Sequence, residues 1–234
     1  MTELLYMNDC YLKEFEALVE KVDGNFVVLD KTAFYPQGGG QPCDNGVLIK
    51  DNEKFNVVFA KKIGQDVSHE VNKTGLKQGD RIKGILNWER RYLLMRNHTA
   101  AHILSEVIHK DAGALITGNQ LNIDKSRIDF NLENFNREQL SGFASMANEI
   151  VKKDLPIKIY SKPREEALKI PSITKLANVL PPAVKDLRIV EIEGFDIQAD
   201  GGTHVKSTKE VGEIEIIKAE NKGKNNRRLY FKLK

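Results

Sequence analysis

His98 and His102 stand four residues apart in the run "RNHTAAHIL", residues 96–104. On an α-helix this spacing stacks both imidazoles on one face, so that two nitrogens can reach a single cation. Proteases built on a helical His pair carry a glutamate base directly after the first His. Thr99 occupies that position here, so chemistry of that class is not expected. A third imidazole, His204, and a carboxylate, Asp200, come from "DGGTH", residues 200–204. Its paired glycines let the backbone turn sharply and approach an ion closely. Three nitrogens and one oxygen form a donor set that zinc accepts at about 2.0–2.2 Å. Each motif alone also suits an ordinary helix face or a tight surface loop; the two together point to one metal centre.

Other side chains can serve substrate. "YPQGGGQP", residues 35–42, offers consecutive glycines that can approach a ligand and two amides, Gln37 and Gln41, that can hydrogen-bond it. It lacks the GK[ST] ending of a phosphate-binding P-loop, and by its residues alone reads as a turn. "GALITGNQL" presents Thr117 and Asn119 shortly after the His pair. Arg90, Arg91 and Arg96, with Arg227 and Arg228 of the basic segment "IKAENKGKNNRRLYFKLK", are candidates for contact with nucleic-acid phosphate. The same segment also suits a solvated hairpin with a charged turn. His69 reads as structural or solvent-facing, as does His109, placed to complement a helix C-terminus.

These groups need a scaffold. Residues 1–87 alternate β-branched and aromatic runs with Asp, Asn and Gly turns, as in "NFVVLDKTAFY" and "FNVVFAKKI", which predicts a small β-barrel domain. Tyr6 to Val22 reads as a strand within it. At Trp88 the period changes to that of a helix, ending at Gly113. A strand pair then spans "ALITGNQLNIDKSRIDFNL", followed by a second amphipathic helix in "REQLSGFASMANEIVKKDL". A strand "PIKIYS", a short helix opening at Pro163 and a mostly β remainder complete residues 88–234 as an α+β domain with a mixed or antiparallel sheet and flanking helices.

Composition narrows the setting. The chain of 234 residues is 41% hydrophobic and 29% charged, with a net charge of +3, as for an ordinary globular protein. No apolar run approaches the roughly 20 residues of a membrane span. The N-terminus lacks the basic start and apolar stretch of a signal peptide. Only Cys10 and Cys43 are present, too few for a disulfide framework or a thiolate zinc site, and both are expected reduced in a cytoplasmic protein.

"HTAAH" followed by "DGGTHV", with "FYPQGGGQPCDNG" at residues 34–46, resembles the editing domain of alanyl-tRNA synthetase and its freestanding AlaX-type relatives. The resemblance runs over roughly residues 30 to 220, and the chain is similar in extent to the medium-length freestanding form. It implies a barrel-like N-terminal domain, an α+β editing domain and metal-dependent hydrolysis of mischarged Ser-tRNA(Ala), and of Gly-tRNA(Ala), in trans. The family's HxxxH and CxxxH ligands fall on His98, His102, Asp200 and His204, implying one Zn²⁺ per chain. Asp200 stands where the family usually has cysteine, and an oxygen donor is harder and holds zinc less strongly than thiolate. The resemblance further implies that Gly38, Gly39, Gly40 and Gln41 line the editing cleft and that Thr117 reads the serine hydroxyl. The implied partner is mischarged alanine tRNA, with no membrane and no obligatory protein partner. Two other readings fit the residues: a metal hydrolase of another ester, and a catalytically inactive metal- and RNA-binding module.

Overall fold

A computed structural model describes residues 1–133, 136–171, 173 and 185–234. It divides into two compact units, Met1–Leu93 and Leu94–Lys234. The division falls inside the first helix and not at its first residue, because the helix's opening turns carry side chains that belong to the first unit.

The first unit is a closed barrel. After β1 (Glu3–Leu4), the chain forms β2 (Glu14–Asp23), β3 (Phe26–Leu29), β4 (Lys31–Thr32), β5 (Gly46–Lys50), β6 (Glu53–Ile63), β7 (Asp66–Val71) and β8 (Arg81–Leu86). The closed order is β2-β3-β7-β6-β5-β8, while β1 and β4 form a small parallel pair. Period-two alternation fills the interior: Phe15, Ala17 and Val19 of β2 are buried, while Glu14, Glu16 and Leu18 face out. The expected strand over Tyr6–Val22 starts only at Glu14, and Leu5–Met7 is instead a single 3₁₀ turn. The reason is local. The N–H groups of Asn8 and Asp9 both donate to Leu5 O, and the Asp9 carboxylate accepts from Tyr11 N–H at 2.8 Å, which curls the chain.

Helix α1 (Trp88–Ala112) follows directly. Asn87 caps its start, its side chain accepting from Arg90 N–H at 3.1 Å, and Gly113 at φ +65° ends it by donating to His109 O at 2.8 Å. From Leu94 to Ile108 nearly every side chain is buried, polar ones included, so α1 is a core helix and not a one-faced surface helix.

The second unit continues with β9 (Ile116–Gln120), β10 (Ser126–Phe130), α2 (Arg137–Lys152), β11 (Ile157–Pro163), α3 (Arg164–Ala167), β12 (Asp186–Ile192), β13 (Asp196–Ala199), β14 (Ile214–Asn221) and β15 (Arg227–Leu233). The fold is therefore α+β with a six-stranded barrel. In place of one sheet, the second unit carries two antiparallel ones, β14-β15-β10-β9 and β11-β12-β13. Pro163 closes β11 and lies one position before α3, at its N-cap. Two polar contacts fix helices to the four-stranded sheet. Ser126 of β10 donates to Asn97 of α1 at 3.0 Å, and the Asn148 amide of α2 bonds both backbone groups of Ile214 at 2.9 Å.

Candidate metal centre

Two segments of the second unit converge. Helix α1 supplies His98 and His102, and the loop leaving β13 supplies Asp200 and His204. One donor atom from each lies within 4.8 Å of the other three. His204 Nε2 is 3.1 Å from Asp200 Oδ2, and His98 Nε2 is 3.6 Å from Asp200 Oδ1. A tetrahedral ion with bonds of about 2.0–2.1 Å requires donor separations of about 3.3–3.4 Å, which these distances bracket. The four donors could therefore hold a metal ion, and their number and type are those zinc accepts.

Three of the four donors are held by a second group. His204 Nδ1 meets the Thr99 hydroxyl at 3.1 Å, and His102 Nδ1 meets the Asp196 carboxylate at 3.2 Å. Both contacts engage the Nδ1 side of the ring and leave Nε2 as the donor. The loop itself is clamped by Arg188 of β12, whose buried guanidinium donates to the carbonyls of Asp200 and Gly202 at 2.9 Å each. Asp200 Oδ2 also accepts from Gly202 N–H at 2.6 Å. Gly202 packs against His98 so closely that a Cβ there would lie 2.1 Å from the imidazole Cε1, so only glycine fits.

Burial sets the protonation. It drives His98 down to about 4, with His102 and Arg188 adding to the shift and Asp200 opposing it. Burial likewise pushes His204 well below its ordinary value, assisted by the neighbouring His98. Burial alone would raise Asp200, but His98, His204 and His102 override it and hold the carboxylate well below its usual range. Neutral imidazoles around an ionised carboxylate are the forms that bind a metal.

Beside the donors lies a small cavity of about 40 Å³. Its polar lining, apart from the donors, is Ser105, Asn119 and Gln198; Ala101, Ile116 and Ile128 contribute apolar walls. The expectation for Thr117 is corrected here. A bulge in β9, where Asp129 pairs Gly118 but Phe130 pairs Ile116, leaves Thr117 as the extra residue, so Ile116 and Asn119 both line the cavity while Thr117 is exposed and donates to Asn226 at 3.3 Å. Sequence reasoning missed Asp196, Gln198, Thr99 and Arg188 as site residues. For two of them a signal existed: in "DIQAD" the polar residues 196, 198 and 200 alternate, which puts them on one strand face.

The remaining candidates lie elsewhere. Gly38 to Gln41 form a tight turn of the first unit, closed by Gly38 N–H to Gln41 O and Gln41 N–H to Gly38 O, with Gly39 and Gly40 at φ +58° and +82°. Arg91 is not available to phosphate. Its guanidinium is fully buried, pairs with Asp44 and donates to Cys10 O and Ala33 O, because a charge buried in the first unit needs every donor satisfied. Arg227 is also corrected: it is buried in the β14–β15 turn, donating to Asn221 and to the carbonyls of Gly223 and Asn226. Arg228 makes a two-pronged pair with Asp129, at 2.7 and 2.8 Å. Arg90 donates to Cys43 O, and Arg96 to Val211 O and Lys234 O. His69 is fully buried and structural, and His109 bonds Ala114 O at 3.0 Å. Both cysteines are buried thiols, neither in a disulfide.

The family profile for class II (A) tRNA synthetases matches residues 5–90, and that for the threonyl and alanyl tRNA synthetase second additional domain matches residues 187–230. The alanyl-tRNA editing protein AlaX-M of Methanosarcina barkeri is 51% identical over 241 residues, covering 100% of this chain and 99% of the relative. The chain belongs to the AlaX-M family of alanyl-tRNA editing proteins. The AlaX-M protein of Saccharolobus solfataricus is 48% identical with complete coverage of both chains. The alanine–tRNA ligase of Pyrococcus abyssi is 38% identical over 94% of this chain but only 24% of its own length, so the AlaX-M unit corresponds to one part of that enzyme.

Proposed function

We propose that this chain is an aminoacyl-tRNA hydrolase that clears Ser-tRNA(Ala), and Gly-tRNA(Ala), in trans, in the cytoplasm, with one Zn²⁺ held by His98, His102, Asp200 and His204. The observation that carries this reading is the four-donor set at the wall of a cavity of about 40 Å³. Membership of a family whose members are named alanyl-tRNA editing proteins supplies the substrate class.

When bound, a zinc ion supplies Lewis acidity toward an ester carbonyl or a water. The chain's own groups do the rest. Thr99 and Asp196 orient two imidazoles, and Arg188 holds the loop that carries Asp200 and His204. Ser105, Asn119 and Gln198 give the cavity hydrogen-bonding capacity that a seryl hydroxymethyl group satisfies. An alanyl methyl cannot use that capacity, and a site that reads the hydroxyl discriminates better than a pocket can by size alone. Asn119, on the cavity side of β9, takes the role expected of Thr117. Arg90, Arg96 and Arg228, all half-buried, are the candidate arginines left to meet tRNA phosphate.

The test is release of labelled serine from Ser-tRNA(Ala) by zinc-loaded, chelated and zinc-restored protein. Release that is lost on chelation and regained with zinc is expected. No release by protein shown to contain metal overturns the proposal.

A further inference from the structure

Asp196 does two things at once. Its Oδ2 faces His102 Nδ1 at 3.2 Å and accepts from Gln198 Nε2 at 2.9 Å. All three side chains are buried: Asp196 is 4% exposed, Gln198 6% and His102 7%. A carboxylate has no proton to give, so both of its neighbours must donate. That requirement fixes the imidazole with its hydrogen on Nδ1 and fixes the Gln198 amide with its NH₂ toward Asp196. The amide's carbonyl oxygen therefore turns away from Asp196, and Gln198 is a wall of the cavity beside the donors.

The structure assigns to Asp196 the role of a positioning residue that sets His102 as a metal donor and Gln198 as a substrate-reading acceptor, so that Gln198 determines preference for a hydroxyl-bearing aminoacyl group. This rests on the proposed editing reading for its substrate. Strand geometry favours the coupling: Asp196 and Gln198 share one face of β13, and Asp200 follows directly where the chain leaves the strand. Asp196 lies behind both groups, and its own effect is carried by orientation alone.

Three measurements on the zinc-loaded protein test it. Long-range ¹⁵N correlation on wild type is expected to show the His102 ring protonated at Nδ1; an Nε2–H tautomer overturns the role of Asp196. Asp196→Asn is expected to weaken zinc about 10- to 100-fold in competition with a chelating dye, the range for loss of a ligand-orienting carboxylate. Gln198→Met, which keeps volume but removes the amide, is expected to leave zinc affinity within a few-fold. It should lower the preference for the seryl over the glycyl 3′-amide of adenosine, neither of which can be hydrolysed as an ester, by about tenfold, the value of one hydrogen bond. An unchanged seryl-to-glycyl binding ratio, or no binding of either amide to wild type, overturns the role of Gln198. Wild type that binds the seryl amide yet hydrolyses no Ser-tRNA(Ala) sinks the editing reading and leaves this assignment standing.

Discussion

At the scale of single residues, the centre depends on one glycine as much as on its four donors. Any side chain at Gly202 occupies the space of the His98 ring. Gly202→Ala should therefore weaken zinc binding by about tenfold or more, the order seen when a ligand loses its orientation. Isothermal titration against wild type measures this, while circular dichroism shows the fold retained. Gly201, with nothing near its Cβ position, serves as the control: Gly201→Ala should bind zinc within a few-fold of wild type. The four donors were legible in the sequence because helical spacing and a glycine-paired turn are strong local signals. Thr117 was misread for the opposite reason. Its side depends on a β-bulge opposite Asp129 and Phe130, and simple alternation along the strand does not reveal that extra residue. Asp196 was missed because an aspartate at the start of a strand looks like any turn residue until its partner is known.

At the scale of elements, buried polar side chains hold the barrel, and two of them give opposite kinds of test. Arg91 and Asp44 form an ion pair with neither side chain exposed. Asp44→Ala leaves the guanidinium charge buried without its partner and should cost about 3–5 kcal/mol, measured by denaturant unfolding. His69 sits between Thr32 Oγ1 at 2.9 Å and Val27 O at 3.1 Å, and burial lowers it from 6.5 to about 4. The folded state thus binds fewer protons than the unfolded state between those values. Its contribution is fully present above pH 6.5 and is lost as pH falls toward 4, by up to about 3 kcal/mol. His69→Gln should flatten that slope in urea melts taken across the window. The sequence showed the barrel's alternation clearly, but not that an arginine on the helix was internal. A helix-face charge is ordinarily solvated, and only the tertiary partner Asp44, far back in the chain, reverses that.

At the scale of the whole molecule, all four donors belong to Leu94–Lys234 and none to Met1–Leu93. On the proposed reading zinc binds the folded second unit, so it should raise that unit's stability by mass action, roughly 2.7 kcal/mol at a hundredfold excess over Kd. Hydrogen exchange should register this as slowed exchange in α1 and β12–β13 on adding zinc, with β2–β8 of the barrel unchanged. The order of elements and the α+β class were legible because long periodic segments are the most readable part of a sequence. The division of the second unit's strands into two sheets was not, since pairing partners such as β10 and β15 lie far apart along the chain. The decisive measurement is a side-by-side assay of labelled amino-acid release from Ser-tRNA(Ala) and Ala-tRNA(Ala) by protein with confirmed zinc content. Rapid loss of serine with alanine left in place is predicted. Equal release from both, or release from neither, contradicts a serine-selective editing site.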